Sequence, residues 1–228
     1  MTDLLPAIES ETAPHPRFAV IWLHGLGADG SDFAPIVPYL GLPPGLGVRF
    51  VFPHAPAQPV TCNGGYVMPA WYDITAIDGL DRGVDEAGVA ASARAIRRLI
   101  ERENGRGIPA RRIVLAGFSQ GGAMAYTVGL THPEALAGIV ALSAYLPAPA
   151  LLLPESLGPN RGTPIFAGHG DEDDVVPPAL GARARDALLG QGYDLDWHSY
   201  AMAHSVCIEE IADIGRWLVE RLRAADRE

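Results

Sequence analysis

The stretch R-I-V-L-A-G-F-S-Q-G-G-A (112–123) runs from an apolar segment, through a glycine-flanked serine, into a run of small residues. Residues 112–116 have the length and continuous apolarity of a strand covered on both faces. Gly121, Gly122, Ala123 and Ala125 lead into a helix that can approach its neighbours closely. Between the two, Gly117-Phe118-Ser119-Gln120-Gly121 matches G-x-S-x-G. At a strand–turn–helix junction that pattern forces the serine into a strained backbone conformation with its hydroxyl presented as a nucleophile. The flanking glycines remove side chains that would strike neighbouring backbone. An ordinary glycine-rich turn has the same composition; the strand before it and the helix after it favour the nucleophile.

Working outward, further strand-length apolar runs occur at 17–23, 48–52, 137–143 and 163–167, with a more alternating run at 194–200. Helical spacing falls between them. Val89, Ala93, Ile96 and Ile100 share one face, with Asn104 and Gly105 as stop residues. Leu180, Ala184, Ala187 and Leu188 form a second face; Ile208, Ile211, Gly215, Leu218 and Leu222 form a third. Strands alternating with helices predict right-handed crossovers and a mostly parallel sheet with helices on both faces, in one α/β domain spanning 1–228. In such sheets chemistry sits beyond the carboxyl ends of the strands. Those positions hold H-G-L-G-A-D-G (24–30), G-F-S-Q-G-G (117–122), G-H-G-D-E-D-D (168–174) and A-M-A-H (201–204).

Composition excludes several classes. The 228 residues are 48% hydrophobic and 19% charged, which argues against disorder. A net charge of -10 argues against nucleic acid and anionic membrane surfaces, which need a positive face. Two cysteines exclude a disulfide scaffold and a multi-cysteine zinc site; Cys62 and Cys207 read as free packing thiols. Acidic residues at the start, in place of a basic and then apolar leader, predict a cytoplasmic protein. The uncharged stretch 135–154 is broken by Pro147, Pro149 and Pro154, so it reads as a strand and loop rather than a transmembrane span.

A serine nucleophile needs a base and an acid, expected in the chain order Ser, Asp or Glu, His. That leaves His169, His198 and His204. His169 precedes the acids of its own loop, and His198 lies within a strand pattern. His204 follows the last strand and precedes a helix that Ser205 would cap and Glu209 and Glu210 would charge favourably. It is the expected base. Asp171, Glu172, Asp173 and Asp174 all qualify as the acid, and spacing does not choose among them. Two rivals stand beside this reading. G-L-G-A-D-G (25–30) spells a dinucleotide fingerprint, but no acid ends the second strand at Phe52-Pro53-His54. H-G-D-E-D-D suggests a divalent metal, but lacks the alternating ligand positions of a hard-ion loop. The backbone N–H groups of Leu26 and Gln120 are the natural oxyanion donors.

The blocks V-I-W-L-H-G-L-G-A-D-G-S-D-F (20–33), P-V-T-C-N-G-G-Y-V-M-P-A-W-Y-D-I (59–74), L-A-G-F-S-Q-G-G-A (115–123), H-G-D-E-D-D-V-V-P (169–177) and M-A-H-S (202–205) together resemble the small bacterial carboxylesterases related to acyl-protein thioesterases and lysophospholipases. The resemblance spans nearly the whole chain. It implies a single-domain α/β-hydrolase that cleaves carboxylic esters or thioesters of small-molecule or acylated substrates. It implies Ser119 as nucleophile and His204 as base, and it selects Asp173 as the acid. It further implies no cofactor, and often a homodimer. The segment 146–162 departs from the family blocks. Leu151, Leu152 and Leu153 there are expected to form an apolar lip over an acyl groove, with Trp71 and Met202 nearby; packing of the loop on the core is the alternative. Trp71-Tyr72-Asp73 has a second reading as the anchor of a long loop over 53–83.

Overall fold

The computed structural model describes residues 4–147 and 158–226. A seven-stranded sheet runs β1 (Ala7–Glu11), β3 (Val48–Pro53), β2 (Phe18–Leu23), β8 (Ile113–Phe118), β9 (Gly138–Leu142), β10 (Ile165–Gly170) and β11 (Leu195–Tyr200). Only β1 is antiparallel to its neighbour; the other pairings are parallel. The helices are α1 (Glu86–Gly105), α2 (Gln120–Thr131), α3 (Pro178–Gly190) and α4 (Ile208–Ala225).

The continuous apolar runs follow from burial on both sides. In β2, Ala19, Ile21 and Leu23 join a core with α1, α2 and α3, whereas Phe18, Val20 and Trp22 join a second core with α4. Side chains alternate across a strand, so a sheet sandwiched between helices needs apolar residues at every position. The expected face of α1 is buried at Val89, Ala93, Ile96 and Ile100, and Asp85 caps the helix by accepting from the Ala87 N–H. On the α4 side, Gly215 packs directly under the Leu40 carbonyl of the 3₁₀ turn Ala34–Leu40.

Four features differ from expectation. First, β1 was not visible in A-I-E-S-E, because a short edge strand needs few apolar residues. Much of its anchorage is ionic: Glu9 pairs with Arg102 and Arg106, and Glu11 with Arg49. Arg49 also reaches the fully buried Glu103. Second, the expected loop over 53–83 contains two hairpins: β4 (Ala57–Val60) with β5 (Tyr66–Pro69), and β6 (Ile74–Asp78) with β7 (Asp81–Val84). Third, β10 extends through His169 and Gly170, so both belong to the strand rather than to the loop after it. Fourth, Cys207, not Ser205, caps α4, its sulfur accepting from the Glu210 N–H at 3.5 Å. Glu210 is fully buried instead of charging the helix end, and burial pushes its carboxyl up to about 8.

Candidate active site

Ser119 occupies the turn between β8 and α2 at φ 55° and ψ −120°. Strain of this kind is held only where the surroundings over-determine it. Here the Ser119 N–H donates to the Leu142 carbonyl at 2.8 Å, and its carbonyl accepts from the Ala123 N–H at 3.0 Å. A side chain on Gly117 would strike the Gly121 backbone, and one on Gly121 would strike the Leu23 and His24 carbonyls. Both motif glycines are therefore sterically required, because β8, α2 and the loop after β2 converge at this point.

The other two side chains arrive from the neighbouring strand ends. His204 lies in the loop after β11, and Asp173 in the loop after β10. His204 Nε2 is 3.0 Å from Ser119 Oγ, and Nδ1 is 2.7 Å from Asp173 Oδ2. Asp173 Oδ1 accepts from the N–H groups of Val175 at 3.0 Å and Val176 at 2.8 Å. Burial works to raise the Asp173 carboxyl, but the hydrogen bonds from His204 and the Val176 backbone outweigh it and hold the group below the usual carboxylate range. An ionised carboxylate accepts only, so Nδ1–H donates to Asp173 and Nε2 is left to accept from the Ser119 hydroxyl. Phe118 packs on the His204 ring, with centroids 4.7 Å apart.

Asp171, Glu172 and Asp174 are exposed, so the local structure itself separates Asp173 from its neighbours. His169 is buried, stacks on Trp197, and bonds Val176 O through Nε2 at 2.8 Å, with the same nitrogen 3.6 Å from Asp173 Oδ2. Among the described residues no cluster of three or more His, Cys, Asp or Glu side chains is arranged to hold a metal. The G-L-G-A-D-G loop leads into a 3₁₀ turn beginning at Ala34, not directly into the α-helix that a dinucleotide fingerprint opens.

Leu26 and Gln120 both line a pocket of ≈ 320 Å³ that also contains Ser119 and His204. Gln120 is the first residue of α2, so its N–H has no intrahelical acceptor. The Leu26 loop is fixed from several sides. His24 Nε2 accepts from the Ala55 N–H at 3.0 Å, its Nδ1 bonds Gly25 O at 2.7 Å, and the Gly27 N–H donates to Pro69 O at 2.8 Å. His24 therefore ties this loop to the chain just after β3. The Gln120 side chain also has a positioning role: Oε1 accepts from the Trp71 N–H at 2.7 Å, and Nε2 donates to Tyr72 O at 2.8 Å.

Trp71 is 1% exposed and donates through Nε1 to His24 O at 2.9 Å. It anchors the two-hairpin segment and does not line the pocket, so its second reading is the one observed. Met202 is likewise buried and absent from the pocket wall. Leu151, Leu152 and Leu153 lie outside the described residues. The apolar wall comes instead from Ile74, Ile77, Phe118, Val175 and Val176, with Tyr145. Of these, Ile74 and Ile77 sit on a hairpin that the sequence showed only as loop, so no periodicity marked them.

A serine at a strained strand–helix turn, bonded in series to a histidine and a buried carboxylate at the ends of parallel strands, defines a serine hydrolase of the α/β-hydrolase fold. Comparison with known proteins narrows this. The phospholipase/carboxylesterase family model matches residues 5–220. The chain is 46% identical over 234 residues to an acyl-protein thioesterase 1 from Neurospora crassa, covering 98% of this chain and 93% of that protein. It is 40% identical over 225 residues to an acyl-protein thioesterase 1 from Mycosarcoma maydis, covering 92% and 94%. Among solved structures, Arabidopsis thaliana SOBER1 superposes with a TM-score of 0.84 at 30% identity, covering 90% of this chain and 99% of that one. The chain belongs to the phospholipase/carboxylesterase family and is a carboxylic ester hydrolase. Both sequence relatives named here are fungal, so the match reaches the family as a whole rather than its bacterial carboxylesterases in particular.

Proposed function

We propose that this enzyme hydrolyses short- to medium-chain acyl esters and thioesters, including S-acyl groups on proteins, through an acyl-enzyme on Ser119. The observation that carries the roles is the continuous hydrogen-bond chain from Ser119 Oγ through His204 to Asp173. The Ser119 hydroxyl attacks the carbonyl carbon while its proton passes to His204 Nε2. Asp173 holds the imidazole in the required tautomer and stabilises the imidazolium that forms. The oxyanion is received by the N–H groups of Leu26 and Gln120, each such donor accounting for roughly 10²–10³ in turnover. Collapse expels the thiol or alcohol, which takes its proton from His204. Water then attacks the acyl-serine, with His204 again as base, and releases the carboxylic acid.

The protein-thioester part of this reading draws on the names of the fungal relatives, both acyl-protein thioesterases. The largely apolar pocket wall supports it, since an acyl chain gains from leaving water there. Two free cysteines suit a reducing, cytoplasmic setting, and no helix among the described residues is long and apolar enough to cross a membrane. The homodimer implied by the family resemblance belongs to the same proposal and is read by sedimentation. Ser119→Ala is expected to lower hydrolysis of a nitrophenyl ester and an acyl-thioester peptide by about 10³-fold or more. Stoichiometric fluorophosphonate labelling should vanish with it. Full activity in the variant refutes the mechanism.

A further inference from the structure

One charged residue of the pocket wall takes no part in this chemistry. Arg82, on β7, lines the pocket together with Ser119 and His204, and it also lines an adjoining cavity of ≈ 250 Å³. Tyr145 is shared by the two cavities in the same way. The guanidinium is fixed from two elements. Nη1 donates to Gly79 O at 2.8 Å and to Asp81 O at 3.3 Å, within its own hairpin. Nη2 donates to Val175 O at 3.2 Å, in the loop that carries Asp173.

Those acceptors are all neutral carbonyls, which orient the guanidinium and leave its charge uncompensated. Among the described residues the ion pairs engage other arginines or histidines, and no carboxylate lies within 4.0 Å of Arg82. Asp32, which also lines the pocket, comes from the loop after β2 and does not pair with it. Burial raises the Tyr145 phenol and the Cys62 thiol above their ordinary values while the Arg82 charge pulls both back, so that charge is felt across the pocket. A guanidinium has five N–H donors, and three are used here. The remaining two are on Nε and Nη2, adjacent nitrogens whose spacing suits bidentate contact with a carboxylate or phosphate. Arg82 is only half-buried, so water can satisfy these free N–H groups in the empty enzyme and a substrate anion can replace it with a charge-assisted pair.

We propose that Arg82 forms an anion subsite of the active-site pocket, so that the enzyme prefers esters whose acyl or alcohol part carries a carboxylate or phosphate. The inference rests on the esterase reading above and adds a substrate class to it. Two matched pairs of esters test it. Mono-nitrophenyl glutarate against nitrophenyl butyrate places a carboxylate on the acyl side. Butyryl glycerol 3-phosphate against butyrylglycerol places a phosphate on the alcohol side.

The readout is the ratio of kcat/KM within each pair, which cancels any general damage from loosening the Val175 contact. In Arg82→Gln the anionic-to-neutral ratio should fall about tenfold or more in at least one pair, chiefly through KM. Arg82→Lys, which keeps the charge but not the fork, should fall between. The pair that responds tells which part of the substrate carries the anion. Ratios equal to wild type in both variants and both pairs overturn the subsite, leaving Arg82 as a strap between hairpin and acid loop. A wild-type enzyme inert on all four esters overturns the esterase reading itself, and the subsite with it.

Discussion

Asp173 and Asp174 are adjacent in the chain and opposite in their surroundings. One carboxylate is buried and accepts three hydrogen bonds, from two backbone N–H groups and His204; the other faces solvent. Asp173→Asn presents an amide where an acceptor is needed and favours the wrong histidine tautomer, so kcat should fall by about 10⁴-fold. Asp174→Asn should stay within a few-fold of wild type in the same steady-state assay. Equal losses mean that the wrong carboxylate has been assigned. The candidate nucleophile and base were legible in the sequence, because G-x-S-x-G and a histidine after the last strand are local signals. The acid was legible only through family resemblance, since four consecutive acids carry no local mark of which one turns inward. The side-chain roles of His24 and Gln120 were not legible. Each holds a segment distant in sequence, and no local pattern encodes such a partner.

At the scale of elements, the site depends on how closely α2 approaches β2. Gly121 gives the clearest measure. A methyl group there meets the Leu23 and His24 carbonyls, which are backbone and cannot swing aside. Gly121→Ala should therefore destabilise the fold by about 1–3 kcal/mol through overpacking. It should also lower kcat/KM by about 10²-fold, because a displacement near 1 Å at the reacting groups is enough for that. Thermal melting and ester hydrolysis on the same preparation check the two effects. An unaltered melting temperature shows that α2 can move away, and the steric account of the motif then fails. The helices and central strands were legible because burial on one or two faces imposes a period on the sequence. The two hairpins and β1 were not, since short strands held mainly by backbone pairing leave too few apolar positions to show a period.

For the whole molecule, Glu210 ties stability to pH. Its carboxyl lies at the start of α4 against Gly168 of β10, fully buried and without a hydrogen-bond partner among the described residues. Burial raises it to about 8, well above the value of about 4.3 in an unfolded chain. The native state thus holds a proton that the unfolded state releases. The stability from this group is complete below the unfolded value and is lost as pH rises toward 8. The stability difference between wild type and Glu210→Gln should decline by about 1.4 kcal/mol per pH unit from pH 5 to 8, then level off, in urea titrations. A difference independent of pH contradicts this account. The sequence by itself determined an alternating α/β chain, a serine poised between strand and helix, and a histidine after the last strand, because burial and turn chemistry act over a few residues and leave local periods and motifs. Only the tertiary structure decided how Asp173 turns inward while its neighbours face solvent, which hairpin walls the pocket, which of its two readings Trp71 takes, and that Glu210 is a buried acid. Those outcomes depend on which segments remote in the chain come to lie against each other, and the energy of such a contact belongs to the pair rather than to either stretch of sequence.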